Sequence, residues 1–390
     1  MYDFKTVVRR DAQGSSKWKL MTQHNNHLDP SIVPLSVADT DMVMAPEIVQ
    51  GLKDYLEVMV LGYTGLTQSY YDAVIGWFKK RHNWDVEASW IVESPGVVNA
   101  LFNLVAAFTK VNEGVIIMPP VYYPFRSSIE KQDRVVVENE LIYKDHGYSI
   151  NFEDLLEKAQ DPNNTLLILC SPHNPVGRVW TKEELTKIAE ICYDNNVLVI
   201  SDEIHFDLIL PGFKHTVFSQ VSDKAYKNSI IATAPSKTFN LAGLQTSNLV
   251  IANPELKATF KQYMDKTPFH ALNAIGPKAC EIAYTQCDAW LEEFLALIET
   301  NRRMFKEFIE SKIPAIKVIE LQGTYLQWFD CTELGYDDET LNKILIDTCD
   351  LYLDAGNLFG ASGKQFQRIN IACPTHVLQD ALIRLEEGIR

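Results

Sequence analysis

TLLILCSPHNPVGRVWTKEELTKIAEICYDNNVLVISDEIHFDL, residues 165–208, holds two continuous apolar runs, TLLILC and VLVIS, on either side of one helical pattern. In TKEELTKIAEICYDNN, Thr181 and Glu184 have the spacing of a capping box, and Leu185, Ile188, Ala189 and Cys192 fall on one face. Strand, helix and strand in that order make a βαβ unit, whose strands run parallel. Strands that are apolar at successive positions suit a sheet covered by helices on both faces.

Similar runs flank this unit: GVIIMP (114–119), RVVVE (134–138), SIIAT (229–233) and NLVIA (248–252). The fold class expected is α/β, with a mostly parallel central sheet. From about residue 286, CDAWLEEFLALIETNRRMFKEFIESK reads as one long amphipathic helix, after which the pattern changes to IKVIEL, GTYLQWFD and RINIAC, strand-like pieces separated by helices. That change predicts a large domain over 36–285 and a smaller α+β domain over 286–390, with residues 1–35 packing on the small one. No internal repeat or low-complexity stretch interrupts the pattern.

The 390 residues carry a formal net charge of −15, spread along the chain, which disfavours nucleic acid and anionic membranes as main partners. The seven cysteines include no C-x-x-C pair, so neither a disulfide framework nor a zinc ribbon is expected, and no metal site is predicted. MYDFKTVVRR has no apolar targeting core, and no apolar run approaches the roughly 18 residues of a membrane helix. The expectation is a soluble, cytoplasmic protein with reduced thiols.

In open α/β sheets ligands bind beyond the carboxyl ends of the strands. Five segments at such ends carry polar or strained chemistry. SPGVVNALFNLVAAF puts Gly96 at a helix start, a seat for an anion, and VYYPF offers Tyr122 as a flat stacking surface. SPHNPVG aims Asn174 from a sharp turn, and DEIHFDL leaves Asp202 and His205 at the end of a buried strand with no cation nearby in sequence. In SIIATAPSKTF, Lys237 stands among small residues, where desolvation would free its amine for covalent chemistry. Singly each has an ordinary structural explanation. Together they are the parts that hold pyridoxal 5′-phosphate: a phosphate, a flat ring, a phenolic oxygen, a ring nitrogen and an aldehyde.

At these motifs the chain resembles the fold-type I pyridoxal-phosphate enzymes (the aspartate-aminotransferase-like fold), and within them the class-II-aminotransferase-like C–S lyases of the MalY/PatB kind, the cystathionine β-lyases. The resemblance spans nearly the whole length, through VADTDMVMAPEIVQGL, LGYTG, PPVYYPF, SPHNPVGRVW, SDEIHFDL, APSKTFNLAGLQTSN, GTYLQWFD, DAGNLFG and GKQFQRINIACP. It implies that Lys237 bonds the cofactor aldehyde, that Asp202 partners the ring nitrogen and that Tyr122 stacks on the ring, these three forming the catalytic set. It implies that Asn174 and His205 attend the phenolic oxygen, with Asn174 also facing the substrate. Gly96, Val97, Val98 and Ser236 would hold the phosphate, together with Tyr63 from a neighbouring subunit in a homodimer with shared active sites. Arg368 would grip the substrate carboxylate, enclosed by Val37 and Ala38.

Two positions depart from the pattern of related aminotransferases: Gln245 stands where many carry a phosphate-binding arginine, and Ala234 where a serine is common. The implied activity is α,β-elimination on a sulfur amino acid, giving thiol, pyruvate and ammonia. An aminotransferase, which diverges only after the Cα proton is removed, and a regulatory protein that keeps the fold are the alternatives.

Overall fold

In the computed structural model, which describes residues 1–25, 28–268 and 271–389, seven strands build the central sheet. They are β1 (Ile91–Ser94), β2 (Gly114–Ile117), β3 (Val135–Glu138), β4 (Asn164–Cys170), β5 (Leu198–Asp202), β6 (Ser229–Thr233) and β7 (Ser247–Val250), in the order β1-β7-β6-β5-β4-β2-β3. The pairs β2–β3, β2–β4, β4–β5 and β5–β6 are parallel. Only β7 is reversed, lying antiparallel to both β6 and β1.

Successive side chains of a strand point to opposite faces, so a run that is apolar throughout needs a cover on each side. Val115, Ile117, Leu166, Ile168, Ile200 and Ile230 join the core formed with helix α1 (Val97–Phe108). Their neighbours Ile116, Leu167, Leu169, Val199 and Ile231 join the core on the other face, with helix α2 (Lys182–Asp194). In α2 both reciprocal bonds of the capping box between Thr181 and Glu184 are present, and Leu185, Ile188, Ala189 and Cys192 are its buried residues. Burying a large aliphatic side chain contributes about 1.5–3 kcal/mol, so this double cover is what makes so apolar a sheet stable.

The C-terminal region holds a second, antiparallel sheet of β8 (Lys317–Val318), β9 (Leu326–Asp330), β10 (Asp354–Ala355) and β11 (Phe366–Asn370), in the order β8-β9-β11-β10. Helices α3 (Asp288–Lys312) and α4 (Thr375–Ile389) pack together beside it. The start of the chain is tied to this region: the Leu35 N–H donates to Tyr352 O, the Asn370 N–H donates to Leu35 O, and the Phe4 ring lies 5.4 Å from that of Trp290. IKVIEL, expected as a strand-like piece, is a strand only at 317–318, with the Ile319 N–H still donating to Trp328 O. Beyond it the N–H groups of Gln322 and Gly323 turn to Gly177 O in the large sheet's periphery.

Candidate active site

Because β7 alone is reversed, six strand ends and the start of β7 meet at one rim, where a cleft opens. At the end of β1, Gly96 takes φ +92° and caps α1 with no side chain. A residue bearing Cβ would be strained there, and the uncapped N–H groups of the first helical turn, with the helix dipole, form a seat for an anion. Gly96, Val97 and Val98 line the cleft, as do Ser236, Gln245 and Thr246 from the connection between β6 and β7. Ala234, the first residue of that connection, is buried.

Asp202 closes β5, is buried, and accepts the Ile204 N–H at 3.1 Å. Burial pushes its carboxyl up to about 7, against the opposing pull of that hydrogen bond and of nearby Lys237. His205 is also buried, and burial, with the positive charges of Lys237 and Arg368, holds its imidazole well below its usual range. Its Nδ1 has no hydrogen-bond partner among the described residues. Tyr122 lines the cleft beside them, its hydroxyl pushed up by burial.

Lys237 follows β6 by four residues, and its amine lies deep in the cleft although the residue keeps some exposure. The amine donates to Ala38 O at 2.9 Å. Burial lowers its pKa to about 8; Arg368 lowers it too, while Asp39 and Asp202 act the other way. The loop is clamped from the side: the Thr40 N–H donates to Asn240 Oδ1, and Asn240 Nδ2 donates to Thr40 O, each at 3.1 Å. The acidic end of VADTD is itself anchored, with Asp39 paired to Arg10 at 2.8 Å and Lys17 at 3.0 Å, and Asp41 paired to Lys17 at 2.7 Å.

At the other wall stands Arg368, buried, with Nη1 donating to Asn174 Oδ1 at 2.8 Å and Nη2 to Asp354 Oδ2 at 2.5 Å. Its Nε is buried with no hydrogen-bond partner among the described residues, and the guanidinium lies 4.7 Å from the Phe359 ring centroid. Asp354 Oδ2 also accepts the Val37 N–H at 2.9 Å. Val37 has φ +58°, strained for a β-branched residue by about 1–3 kcal/mol, and Asn370 Nδ2 holds its carbonyl at 2.8 Å.

The donor set fits pyridoxal phosphate: uncapped helix N–H groups for a phosphate, a buried carboxylate short of a cation for a ring nitrogen, an orphaned imidazole nitrogen, and an amine of lowered pKa. Twelve of the thirteen residues expected at the site line this one cleft. The exception is Tyr63, which is fully exposed outside it, in a stretch where Val58, Val60 and Leu61 are exposed as well.

The family model for aminotransferase class I and II matches residues 32–385. The chain belongs to this family. It falls in the MalY/PatB branch: cystathionine beta-lyase PatB of Bacillus subtilis (strain 168) is 40% identical over 357 residues, 92% of each chain. Protein MalY of Escherichia coli (strain K12) is 28% identical over 392 residues, covering 100% of this chain and 99% of MalY. Among solved structures, cystalysin from Treponema denticola, which contains pyridoxal 5′-phosphate, superposes with TM-score 0.98 at 45% identity, covering 100% of this chain and 98% of that one. A further match is the PLP-bound C–S lyase from Staphylococcus hominis, with TM-score 0.92 and 28% identity.

Sequence reasoning missed Asp354 and Asn370 at this site. Asn370 sits in the quoted motif RINIAC, two residues beyond Arg368, and its alternation with Arg368 along β11 was a usable signal. Asp354 opens the quoted motif DAGNLFG, but its partners lie 14 and 317 residues away, so its contacts could not be read from that motif. Among the described residues no helix is long and apolar enough to cross a membrane. No three or more metal-binding side chains cluster there, and all seven cysteines are buried and unpaired.

Proposed function

We propose that this protein is a pyridoxal-phosphate-dependent C–S β-lyase that cleaves a sulfur amino acid of the cystathionine type into thiol, pyruvate and ammonia. The observation that carries the reading is the single cleft in which Lys237, Asp202 and Arg368 meet. The similarity to cystathionine beta-lyase PatB and to the C–S lyase from Staphylococcus hominis supports the lyase over the transaminase outcome. When bound, the cofactor supplies an electron sink for the charge left at Cα.

The chain's own residues do the rest. Lys237 would hold the cofactor covalently, and its amine, once free, would take the Cα proton. Asp202 holds a proton at the ring nitrogen, a positive partner that keeps its own carboxylate ionised despite burial. Arg368, with Asn174, Val37 and Ala38, fixes the substrate carboxylate and with it the direction of the Cα–H bond. Tyr122 would stack on the ring, His205 would attend its phenolic oxygen, and Gly96, Val97, Val98 and Ser236 would hold the phosphate. Gln245 is neutral, so that phosphate is bound with less cationic charge than an arginine there would give. The Cβ–S bond breaks with its electron pair going to sulfur, which takes from Lys237 the proton that came from Cα and leaves as thiol, and the released enamine is hydrolysed by water to pyruvate and ammonia. The chain divides into a large cofactor-binding domain of 36–285 and a small domain of 286–390 that carries residues 1–35.

With L-cystathionine, the purified holoenzyme is expected to give equal amounts of thiol and pyruvate without added 2-oxo acid. Because a proton must leave the Lys237 amine before it can act as base, kcat should rise with pH and level off above about 8. Transfer of the amino group to a 2-oxo acid with no thiol released would overturn the lyase reading in favour of a transaminase.

The exposed run Val58, Val60, Leu61 and Tyr63 suits an interface between two copies, with Tyr63 reaching the partner's phosphate site. Coexpressed Lys237→Ala and Tyr63→Ala chains should then form hybrids more active than either parent, because one of the two shared sites is intact. Hybrids no more active than the parents would count against a shared site.

A further inference from the structure

The guanidinium assigned to the substrate carboxylate is not a free cation. Asp354 faces it from β10, paired across the sheet with Arg368 itself, and a single carboxylate oxygen serves both Arg368 Nη2 and the N–H of strained Val37. Asp354 lines the cleft, with its side chain 14% exposed. Arg368 therefore offers an incoming carboxylate its remaining N–H groups, while a negative charge already lies against Nη2 of the same guanidinium.

Such a pair does two opposed things. It aims the guanidinium, together with Asn174 Oδ1 on the other terminal nitrogen and the Phe359 ring beside it. It also withholds part of the charge, so a bound carboxylate meets an ion pair instead of a bare cation, and is attracted less. A lyase must release its enamine product, itself a carboxylate like the pyruvate it becomes, after every turnover, and a fully available buried arginine would hold that product too.

We propose that Asp354 is a positioning residue that sets how tightly the cleft holds a carboxylate, aiming Arg368 while moderating its charge. The proposal rests on the assignment of Arg368 to the substrate carboxylate and is separable from it. Asp354→Asn keeps an oxygen that can accept from Arg368 and Val37 but removes the charge. Asp354→Ala removes both.

The test is calorimetric titration of the holoenzyme, without turnover, with propionate and with uncharged propionamide, each variant first matched to the parent in cofactor absorbance. Asp354→Asn should bind propionate roughly fivefold or more tighter than the parent, with propionamide unchanged. Asp354→Ala should bind propionate less tightly than Asp354→Asn, because the guanidinium is no longer aimed. In turnover, Asp354→Asn should lower KM for the amino acid and strengthen product inhibition by pyruvate, a split that a merely structural role would not produce. If Arg368→Ala loses propionate binding while Asp354→Asn binds no tighter than the parent, the proposal is overturned and the carboxylate assignment stands. If Arg368→Ala binds propionate as the parent does, the assignment fails and the proposal with it.

Discussion

Replacing Lys237 by Ala is expected to lower kcat by at least about 10³-fold, the loss of both a covalent anchor and a general base. Lys237 is the only lysine among the described residues lining the cleft, so no neighbouring lysine can take over the covalent anchor. Its amine is already prepared: burial holds its pKa near 8, and a single hydrogen bond to Ala38 O orients it. The fold should survive the change, because the loop is fixed by Asn240 and Thr40 and by backbone bonds from Phe239 to Pro235 and from Leu241 to Ser236. Borohydride reduction, which makes a lysine–cofactor bond permanent, should add the cofactor's mass to the parent chain at Lys237 and not to the variant. A variant that kept a tenth of the parent activity, or a label found on another lysine, would sink the assignment.

The architecture was readable wherever one physical rule dominated the local sequence. TLLILC and VLVIS are apolar at successive positions because both faces of β4 and β5 are covered, and Thr181 with Glu184 marks a helix start through two reciprocal bonds. Strand direction is not encoded this way. NLVIA looks like its neighbours, yet β7 runs opposite to them, and that reversal brings Gln245 and Thr246 to the rim with Lys237. The two-residue strand at 354–355 is too short to leave a pattern, and IKVIEL is cut short by bonds to Gly177 that lie outside its own composition.

The same division holds at the site. Asp202, His205, Asn174 and Lys237 were legible because each follows a strand in an α/β order, and Arg368 because its motif resembles that of a known family. What the sequence hid is the scaffolding between them: a strained valine, its carbonyl held by Asn370 and its N–H by Asp354, and Ala38 O shared by Lys237 and Tyr325. These links join residues hundreds of positions apart, and nothing in local spacing announces them.

Asp202→Asn is expected to change activity and stability in opposite directions. The amide cannot hold a proton at the ring nitrogen, so the ring draws electrons from Cα less strongly and kcat should fall by about 10²–10³-fold with the cofactor still bound. In the cofactor-free protein the carboxylate is a liability: its folded pKa is raised to about 7 by burial, well above its unfolded value near 4. A raised pKa means that the folded state binds more protons, so this group's contribution to stability is full below pH about 4 and is lost as pH rises through about 7. Asparagine carries no charge to desolvate, and the cofactor-free variant should melt higher than the parent at pH 8, with the difference shrinking toward pH 4. Loading the parent with cofactor should reverse the order, because the ring nitrogen then supplies the cation that Asp202 otherwise lacks. A variant that melted lower than the parent at pH 8 without cofactor would show that Asp202 is held for structure, and unchanged turnover would remove it from the chemistry.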